Sequence, residues 1–552
     1  MSDPEAGTVR IVLHNFRSEV EASVGTTLLE AVQAAGLGLD AECGGRGTCG
    51  GCRVRFLEGA PPPAPEDHLL LEPATIKEGW RLACQVVLKA DCRILIPDVG
   101  SAGAIRILTE ATAPAGLAAT GGPRLAGYGA AVDIGTTTVV CYLVDLAQAR
   151  QLDVASFANP QRVFGADVIS RIVYAHQGPS QLAETRDCLV VAVEEHLARL
   201  CSRHEVPIDA VHTLTAVGNL TMMHLFRGVD PWPLGVAPYQ PVFTEAPPLA
   251  GSELGFRRLA GTKVKLLPGV GGHLGSDAVA GLVALGLAHR THPALFIDLG
   301  TNGEIAILSR RLAAGCSCAA GPAFEGVHIS CGMAAVPGAV ERVRDEDGRL
   351  QLDTIGGAPP LGLCGSGLAD AVAVLLRRGL LLPTGRLLAR DQLPSDLSPE
   401  LRGRLRQEDG SDGRSHRRFV LYEDGASGSI FLTQPDVRQV QLAKAAIRLG
   451  VEVLLEETNL RPEDIDGVFV GGAFGSSVRA ESLLALGVLP EVLRGRIHSA
   501  GNVAGMGAKL ALMFPERFAD ARRVARRLNH VQLGGRADFQ ERFAEHLGFP
   551  ER

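Results

Sequence analysis

The sequence predicts a multidomain protein: a small β-rich unit with one helix, a linker, and then two similar α/β lobes. Three observations carry that expectation. The chain has 552 residues, too many for one core at about 150 residues per domain, so length alone gives roughly three or four units. A cysteine- and glycine-rich loop, CGGRGTCGGC, occupies residues 43–52. An apolar strand followed by D-[IL]-G-T occurs twice, at Asp133 and Asp298, about 165 residues apart, which is a repeat on the scale of a domain.

In chain order, residues 8–13 (TVRIVL) and 19–24 (EVEASV) read as two strands around a turn. Thr26 to Leu37 has helical spacing, with Leu28, Leu29, Val32 and Ala35 on one face. The cysteine loop comes next, then a strand at 52–57 and a break at Pro61-Pro62-Pro63. Leu69 to Ile76 reads as a short helix or turn, and 80–88 and 92–96 as two short strands. This first unit spans 1–97. Residues 98–127, rich in Ala, Gly, Pro and Thr, read as a linker.

Cys43, Cys49, Cys52 and Cys84 have the spacing C-x5-C-x2-C-x31-C. Four such thiolates could hold zinc or an iron–sulfur cluster, or be core thiols. Structural zinc sites usually pair two short knuckles, whereas here the fourth cysteine stands alone. Gly44, Gly45, Gly47, Gly50 and Gly51 let backbone N–H groups turn toward bridging sulfides. A [2Fe–2S] cluster is therefore the better fit. Cys92 lies within an alternating strand, CRILI, and reads as a core thiol.

The two lobes follow, expected at 128–290 (with a middle segment at about 128–208) and 291–552. Residues 130–146 and 294–308 each read as two buried strands around a Gly-Thr turn, and helices are expected at about 181–204 and 436–456. The second helix carries Val440, Ala443, Ile447, Val451 and Leu454 along one stripe. Segment 384–428, with QEDGSDGRSHRR, reads as a polar surface insertion. Arg522, Arg523, Arg526 and Arg527 read as a solvated helix face, with a docking patch as the alternative.

Glycine at Gly135 lets backbone approach a phosphate, and Thr136, Thr137 and Thr138 offer hydroxyl and N–H donors. Asp133, at the strand end, can orient a Mg²⁺-bound water. Gly300, Thr301, Asn302 and Gly303 with Asp298, in the stretch that ends at Glu304, offer the same chemistry from the second copy. Gly471, Gly472 and Ala473 follow a strand and would let a nucleoside lie against backbone. Gly365 and Ser366 open a helix, a ready anion site. No G-x4-G-K-[ST] signature is present, which excludes a P-loop enzyme. An ordinary turn is the bland reading for several of these glycines.

Composition narrows the classes. Apolar residues are 46% and charged residues 21% of the chain, so wholesale disorder is excluded. The net charge is −7 and aromatics are 5%, against a nucleic-acid binder. No run of 18 apolar residues lacks a charge, so no membrane span is expected. Met1 to Arg10 has two acids and no apolar stretch, unlike a secretory signal. A cytoplasmic location is expected, where twelve cysteines serve as ligands or core thiols rather than disulfides. Cys316, Cys318, Cys331 and Cys364 read as core or cleft thiols, and His224, His273 and His328 as structural.

The helix before the cysteine loop and the RLACQ segment (81–85) resemble the [2Fe–2S] ferredoxins. The loop is one residue longer than the plant type, as in the adrenodoxin-like branch. The resemblance implies a β-grasp-like α+β fold. The motifs at Asp133, Asp298 and Gly471 resemble the phosphate-1, phosphate-2 and adenosine motifs of the superfamily of acetate and sugar kinases, heat-shock chaperones and actin. That implies two RNase-H-like, actin-like lobes closing over ATP and Mg²⁺. The pairing of the two halves is similar to the RACo-like reductive activators of corrinoid proteins. RLACQ, DIGTTT, LGTNGE, AGPAFEG, LCGSGL, QLAKAAI, GGAFG and GNVAGMGA all match that family. It implies electron delivery from the cluster to Co(II) in a corrinoid protein or cobalamin-dependent methyltransferase, an upstream electron donor, and a plausible homodimer. Two rival readings are a ferredoxin-like carrier regulated by nucleotide, and a small-molecule kinase with a fused redox domain.

Overall fold

The structure is a computed structural model that describes residues 8–14, 18–35, 39, 47, 52–71, 73–96, 126–165, 167–300, 302–409, 415–424, 428–472 and 478–551. The expected linker, apart from its last two residues, and the expected ligands Cys43 and Cys49 lie outside them. So do Thr301 and Ala473. The chain divides into two compact units. One joins Met1–Arg106 with Glu325–Gln439, the other Ile107–Phe324 with Val440–Arg552.

The first unit begins with a five-stranded sheet in the order β2-β1-β5-β3-β4. Its strands are β1 (Thr8–Leu13), β2 (Ser18–Ser23), β3 (Arg53–Glu58), β4 (Trp80–Leu82) and β5 (Cys92–Leu95). β1 and β5 are parallel and the other pairs antiparallel, the β-grasp-like arrangement expected. Alternation sets the faces: Val9, Ile11 and Leu13 of β1 and Val54 and Phe56 of β3 are buried. The helix Leu28–Ala34 covers this face with Leu28, Leu29, Ala31 and Val32. It starts at a capping box, Thr27 and Glu30, in which Thr27 Oγ1 accepts from Glu30 N (3.2 Å) and Glu30 Oε2 from Thr27 N (3.0 Å). The strand expected over 80–88 ends at Leu82, because residues 83–85 turn into a 3₁₀ helix that carries Cys84.

In the second unit, a six-stranded sheet runs β10-β11-β9-β6-β7-β8. The strands are β6 (Tyr128–Ile134), β7 (Thr138–Asp145), β8 (Arg150–Ala158), β9 (Val211–Gly218), β10 (Leu249–Ala250) and β11 (Lys263–Leu266). β6, β7 and β8 form an antiparallel meander, and β9 and β11 extend the sheet in parallel beside β6. The other sheet repeats the plan as β22-β21-β12-β13-β14-β23. Its meander is β12 (Ala294–Leu299), β13 (Gly303–Leu308) and β14 (Ala313–Cys318). The D-[IL]-G-T repeat thus marks the first turn of each meander. The helix Pro179–Arg203 buries Leu189, Val193, Leu197 and Leu200. The helices Ser276–Ala284 and Val503–Met513 share one core with both sheets, including Tyr142, Phe296 and Leu512.

The rest of the first unit is β15 (Ala339–Glu346), β16 (Arg349–Thr354) and β17 (Gly362–Leu363) in one sheet, covered by the helix Gly365–Arg377. The segment expected as a polar insertion instead supplies much of a second sheet: β18 (Leu405–Asp409), β19 (Ser415–Asp424) and β20 (Gly428–Thr433). Phe419, Val420 and Leu421 of β19 and Ile430, Phe431 and Leu432 of β20 are buried. The helix Gln434–Glu457 buries the stripe Val440, Ala443, Ile447, Val451 and Leu454. Back in the second unit, β21 (Gly467–Gly471) and β22 (Ile497–Gly501) run parallel to β12, and β23 (Asn529–His530) closes the sheet. The arginines near residue 525 are paired within this unit: Arg522 and Arg526 with Glu245, and Arg523 with Asp520. Arg527 donates to the Leu312 carbonyl at 3.2 Å. Among the described residues no helix is long and apolar enough to cross a membrane.

Candidate functional site

In the second unit the two Gly-Thr turns hold a cluster of three carboxylates. Asp133 ends β6 and Asp298 ends β12, each one residue before the strand's last position. The third, Asp277, lies in the first turn of the helix Ser276–Ala284. Each keeps some contact with water, but the mass of protein around them dominates. Burial raises the Asp133 carboxyl to about 7; Asn502 holds it down in part and Asp277 pushes it further up. Burial, then Asp277 and Asp133, raise Asp298 to about 7. Burial raises Asp277 to about 6 against the hydrogen bond it accepts from Ala278 N. Three like charges this close favour a bound cation, which would relieve their repulsion. Among the described residues no three carboxylate, imidazole or thiol groups form a bare metal cage. Mg²⁺ suits that arrangement, since it keeps several waters and takes one or two carboxylates plus phosphate oxygens.

Two asparagines prepare the first turn, and they come from the same local device. β9 ends at Gly218 and β22 at Gly501; each is followed by an asparagine that caps a helix. Asn219 Oδ1 accepts from Met222 N at 2.9 Å, leaving its Nδ2 to donate to Thr136 Oγ1 at 3.0 Å. Asn502 Oδ1 accepts from Gly505 N at 2.8 Å, and its Nδ2 donates to Asp133 Oδ2 at 3.0 Å. Asn159 fixes the turn from below, with Asn159 Nδ2 donating to the Gly135 carbonyl (2.8 Å) and Asn159 N to the Thr137 carbonyl (2.8 Å). The Gly135 N–H donates to the Thr138 carbonyl, and a Cβ at Gly135 would sit 2.7 Å from that oxygen.

On the other side, Gly472 has φ +88°, and a Cβ there would lie 2.3 Å from Asp298 Oδ1 and 2.6 Å from the Leu299 carbonyl. The Gly471-Gly472 segment is thereby brought against Asp298. Register sets Glu304 directly across from Asp298 on the same sheet face, and Glu304 is buried. Gly300, Asn302 and Gly303 form the second turn between β12 and β13. Gly365 and Ser366 belong to the first unit, where they begin the helix Gly365–Arg377; Ser366 is buried with its hydroxyl 3.4 Å from Cys364 Sγ.

Of the expected cluster ligands, Cys52 and Cys84 are described, and both are buried. The Ala83 N–H donates to the Cys52 carbonyl at 2.8 Å, which ties their two segments together. Asp67 positions the second segment, accepting from Ala64 N and Leu82 N at 2.8 Å each. Gln85 Nε2 donates to Cys84 Sγ at 3.3 Å. Gly47, at φ +71°, passes so close to Gln85 that a Cβ would lie 2.8 Å from its Nε2. Two buried thiols on segments joined by a backbone hydrogen bond, a donor to one sulfur and Gly47 against that donor fit a thiolate-bound cluster. Cys92, by contrast, is buried in β5, where burial and Asp91 push its thiol up to about 11. Burial likewise raises Cys318 and Cys331 to about 12, so both rest as neutral thiols. His224 is buried, bonded by Nδ1 to the Leu220 carbonyl (2.7 Å) and accepting at Nε2 from Val242 N (3.1 Å).

Asp277, Asn159 and Asn219 were not among the residues singled out by motif, and Asn502 appeared only inside GNVAGMGA. A signal for the two capping asparagines was present: strand, Gly-Asn, helix occurs once per sheet. Asp277 had none, because GSDAVAG reads as an ordinary helix start.

Comparison with known proteins covers nearly the whole chain. Residues 13–89 match the 2Fe-2S iron-sulfur cluster binding domain, residues 128–290 the RACo middle region, and residues 292–552 the C-terminal domain of RACo, the ASKHA domain. A corrinoid activation enzyme, RamQ, from Eubacterium limosum is 36% identical over 419 residues, 75% of this chain and 69% of that protein. A [Co(II) methylated amine-specific corrinoid protein] reductase from Methanosarcina barkeri is 24% identical over 461 residues, 76% of this chain and 77% of its own. A solved reductive activator for a corrinoid, iron–sulfur protein superposes with a TM-score of 0.68 at 28% identity, covering 98% of each chain. With its [2Fe–2S] domain, middle region and ASKHA domain in that order, the chain belongs to the RACo family of reductive activators of corrinoid proteins.

Proposed function

We propose that this protein is an ATP-dependent activator that restores Co(I) in a corrinoid protein of a methyltransferase system after accidental oxidation to Co(II). The observation that supports it most is the coexistence, in one chain, of a thiol pocket at Cys52 and Cys84 with a nucleotide-type carboxylate site at Asp133, Asp277 and Asp298. Cys43, Cys49, Cys52 and Cys84 would hold the [2Fe–2S] group, which would supply one-electron chemistry near about −400 mV, with an upstream donor as its source of electrons.

Asp133 and Asp298, once ionised, would hold a Mg²⁺ through its waters, and the ion would supply charge neutralisation for the ATP phosphates. Asn502 fixes one Asp133 oxygen by a hydrogen bond, and Asn219 fixes the Thr136 hydroxyl in the same way. The N–H groups of the turns at Gly135–Thr138 and Gly300–Gly303 receive the phosphate oxygens. Gly471, Gly472 and Ala473 take the nucleoside side, and Glu304 stands near the attacking water. Cobalt(I) is a harder product to reach than a reduced cluster, so unaided transfer runs uphill. Each 59 mV by which ATP-driven closure raises the cobalt potential shifts the equilibrium about tenfold. A complex in which the corrinoid loses or weakens its lower axial ligand would provide that rise.

Anaerobic ATP turnover tests this reading. A Co(II) corrinoid protein should stimulate phosphate release by the reduced holoprotein, and the Asp298→Asn variant should lose that stimulation. Phosphate release unaffected by any corrinoid partner but driven by a small metabolite would move the assignment to a kinase.

A further inference from the structure

Within the first unit, polar groups of the ferredoxin domain meet polar groups of segment 325–439 among the described residues. Glu78, at the turn before β4, accepts from Arg418 Nη1 of β19 at 2.9 Å and from Ser429 Oγ of β20 at 3.3 Å. The Glu78 turn is braced from its own side, since Arg55 Nε donates to the Glu78 carbonyl at 3.1 Å. The Arg418 guanidinium lies over the Phe431 ring, 5.0 Å from its centre. At the cluster end, Arg53, the residue after Cys52, donates to the Ile329 carbonyl.

The receiving surface is built independently of its occupant. Phe431 N donates to Cys331 Sγ at 3.5 Å, which ties the loop at Ile329 to β20. Ser330 N donates to Asp436 Oδ1 (2.7 Å), and Asp436 Oδ2 accepts from Thr433 N (2.8 Å). The occupant is equally complete. The buried core of the ferredoxin domain runs from Val9 to Ile96 and contains no residue of 325–439. Two finished bodies joined by polar groups behave as separable, whereas permanent contacts bury large apolar areas. The side chains of Glu78 and Arg418 are each 21% exposed, so water and salt reach the pair.

We infer that segment 325–433 is a releasable dock for the chain's own cluster-bearing domain, latched by Glu78 to Arg418 and Ser429 and by Arg53 to the Ile329 carbonyl. Resting on the activator reading, release from this dock frees the domain to carry its electron to the corrinoid protein. The latch is a parking position, not the delivery position.

The test uses the full-length holoprotein and amide hydrogen exchange over residues 326–331 and 415–433. Glu78→Arg and Arg418→Glu should each speed exchange there by about fivefold or more, and the double swap should return it toward the wild type. Wild-type protein at about 1 M salt, where the Debye length is ~3 Å, should resemble the single variants. Visible absorption and EPR of the reduced cluster check that every variant remains loaded. Unchanged exchange in the single variants, or no recovery in the swap, overturns the latch. In the electron-transfer arm, single variants that reduce a Co(II) corrinoid protein at least as fast as the wild type support parking. Single variants with an intact cluster and lost transfer would make the docked pose the delivering one, and overturn it. A wild type that reduces no corrinoid protein would defeat the activator reading, while the exchange arm still decides whether the dock exists.

Discussion

The three aspartates set a conflict between stability and use. Burial holds the Asp298 carboxyl at about 7, against an ordinary 3.8, so the nucleotide-free fold binds a proton that the unfolded chain releases earlier. The stability tied to that proton is fully present below about 3.8 and is lost as pH rises through about 7. Asparagine mimics the protonated form. Asp298→Asn should therefore raise the melting temperature of the nucleotide-free protein at pH 8 by about 2–4 °C, as expected for roughly 1 kcal/mol in a domain of this size. The gain should vanish as pH falls toward 4. The same variant should lose about 100-fold or more in ATP turnover, since the charge that organises Mg²⁺ is gone. A variant that neither gains stability at high pH nor loses turnover would remove Asp298 from the site. Asp133 stands under the same pressure, moderated by the Asn502 hydrogen bond.

Among elements, the closest approach that serves the site is between the helices Ser276–Ala284 and Val503–Met513. A Cβ on Gly507 would lie 2.1 Å from the Ala280 carbonyl, so the crossing exists only because that position is glycine. Gly507→Ala should cost about 1–3 kcal/mol by forcing the helices apart. Because Asp277 and Asn502 head those helices, nucleotide affinity should fall with stability; a calorimetric titration beside a denaturation curve reads both. An undisturbed affinity would show that helix spacing does not set the site. The elements themselves were legible in part. Period-2 alternation marked β1 and β3, and the D-[IL]-G-T turns marked both meanders. The apolar stripe marked the helix Gln434–Glu457. Where the reading fell short, the cause is physical: β19 and β20 carry short buried apolar runs, Phe419 to Leu421 and Ile430 to Leu432, beside a stretch of sequence dense in charge that disguised them. Asp277 was invisible because its neighbours arrive by tertiary packing rather than by spacing.

At the scale of the whole molecule, the thiol pocket and the carboxylate site are held by separate sets of bonds. Cys84→Ser should abolish the visible and EPR signals of the [2Fe–2S] cluster, yet leave Mg²⁺–nucleotide binding within about twofold, as for sites that share no partners. Loss of nucleotide binding in that variant would indicate that the two halves fold as one. Coupling between them is then a matter of the working cycle, which only the complete reaction can report. The most direct measurement mixes the reduced holoprotein with a Co(II)-loaded corrinoid subunit of a methyltransferase, without oxygen, and follows the cobalt(I) absorption band with and without Mg-ATP. The account predicts that the band grows only when Mg-ATP is present and that Asp298→Asn abolishes that growth. A band that grows equally without nucleotide, or that fails to appear with any corrinoid partner, would contradict it.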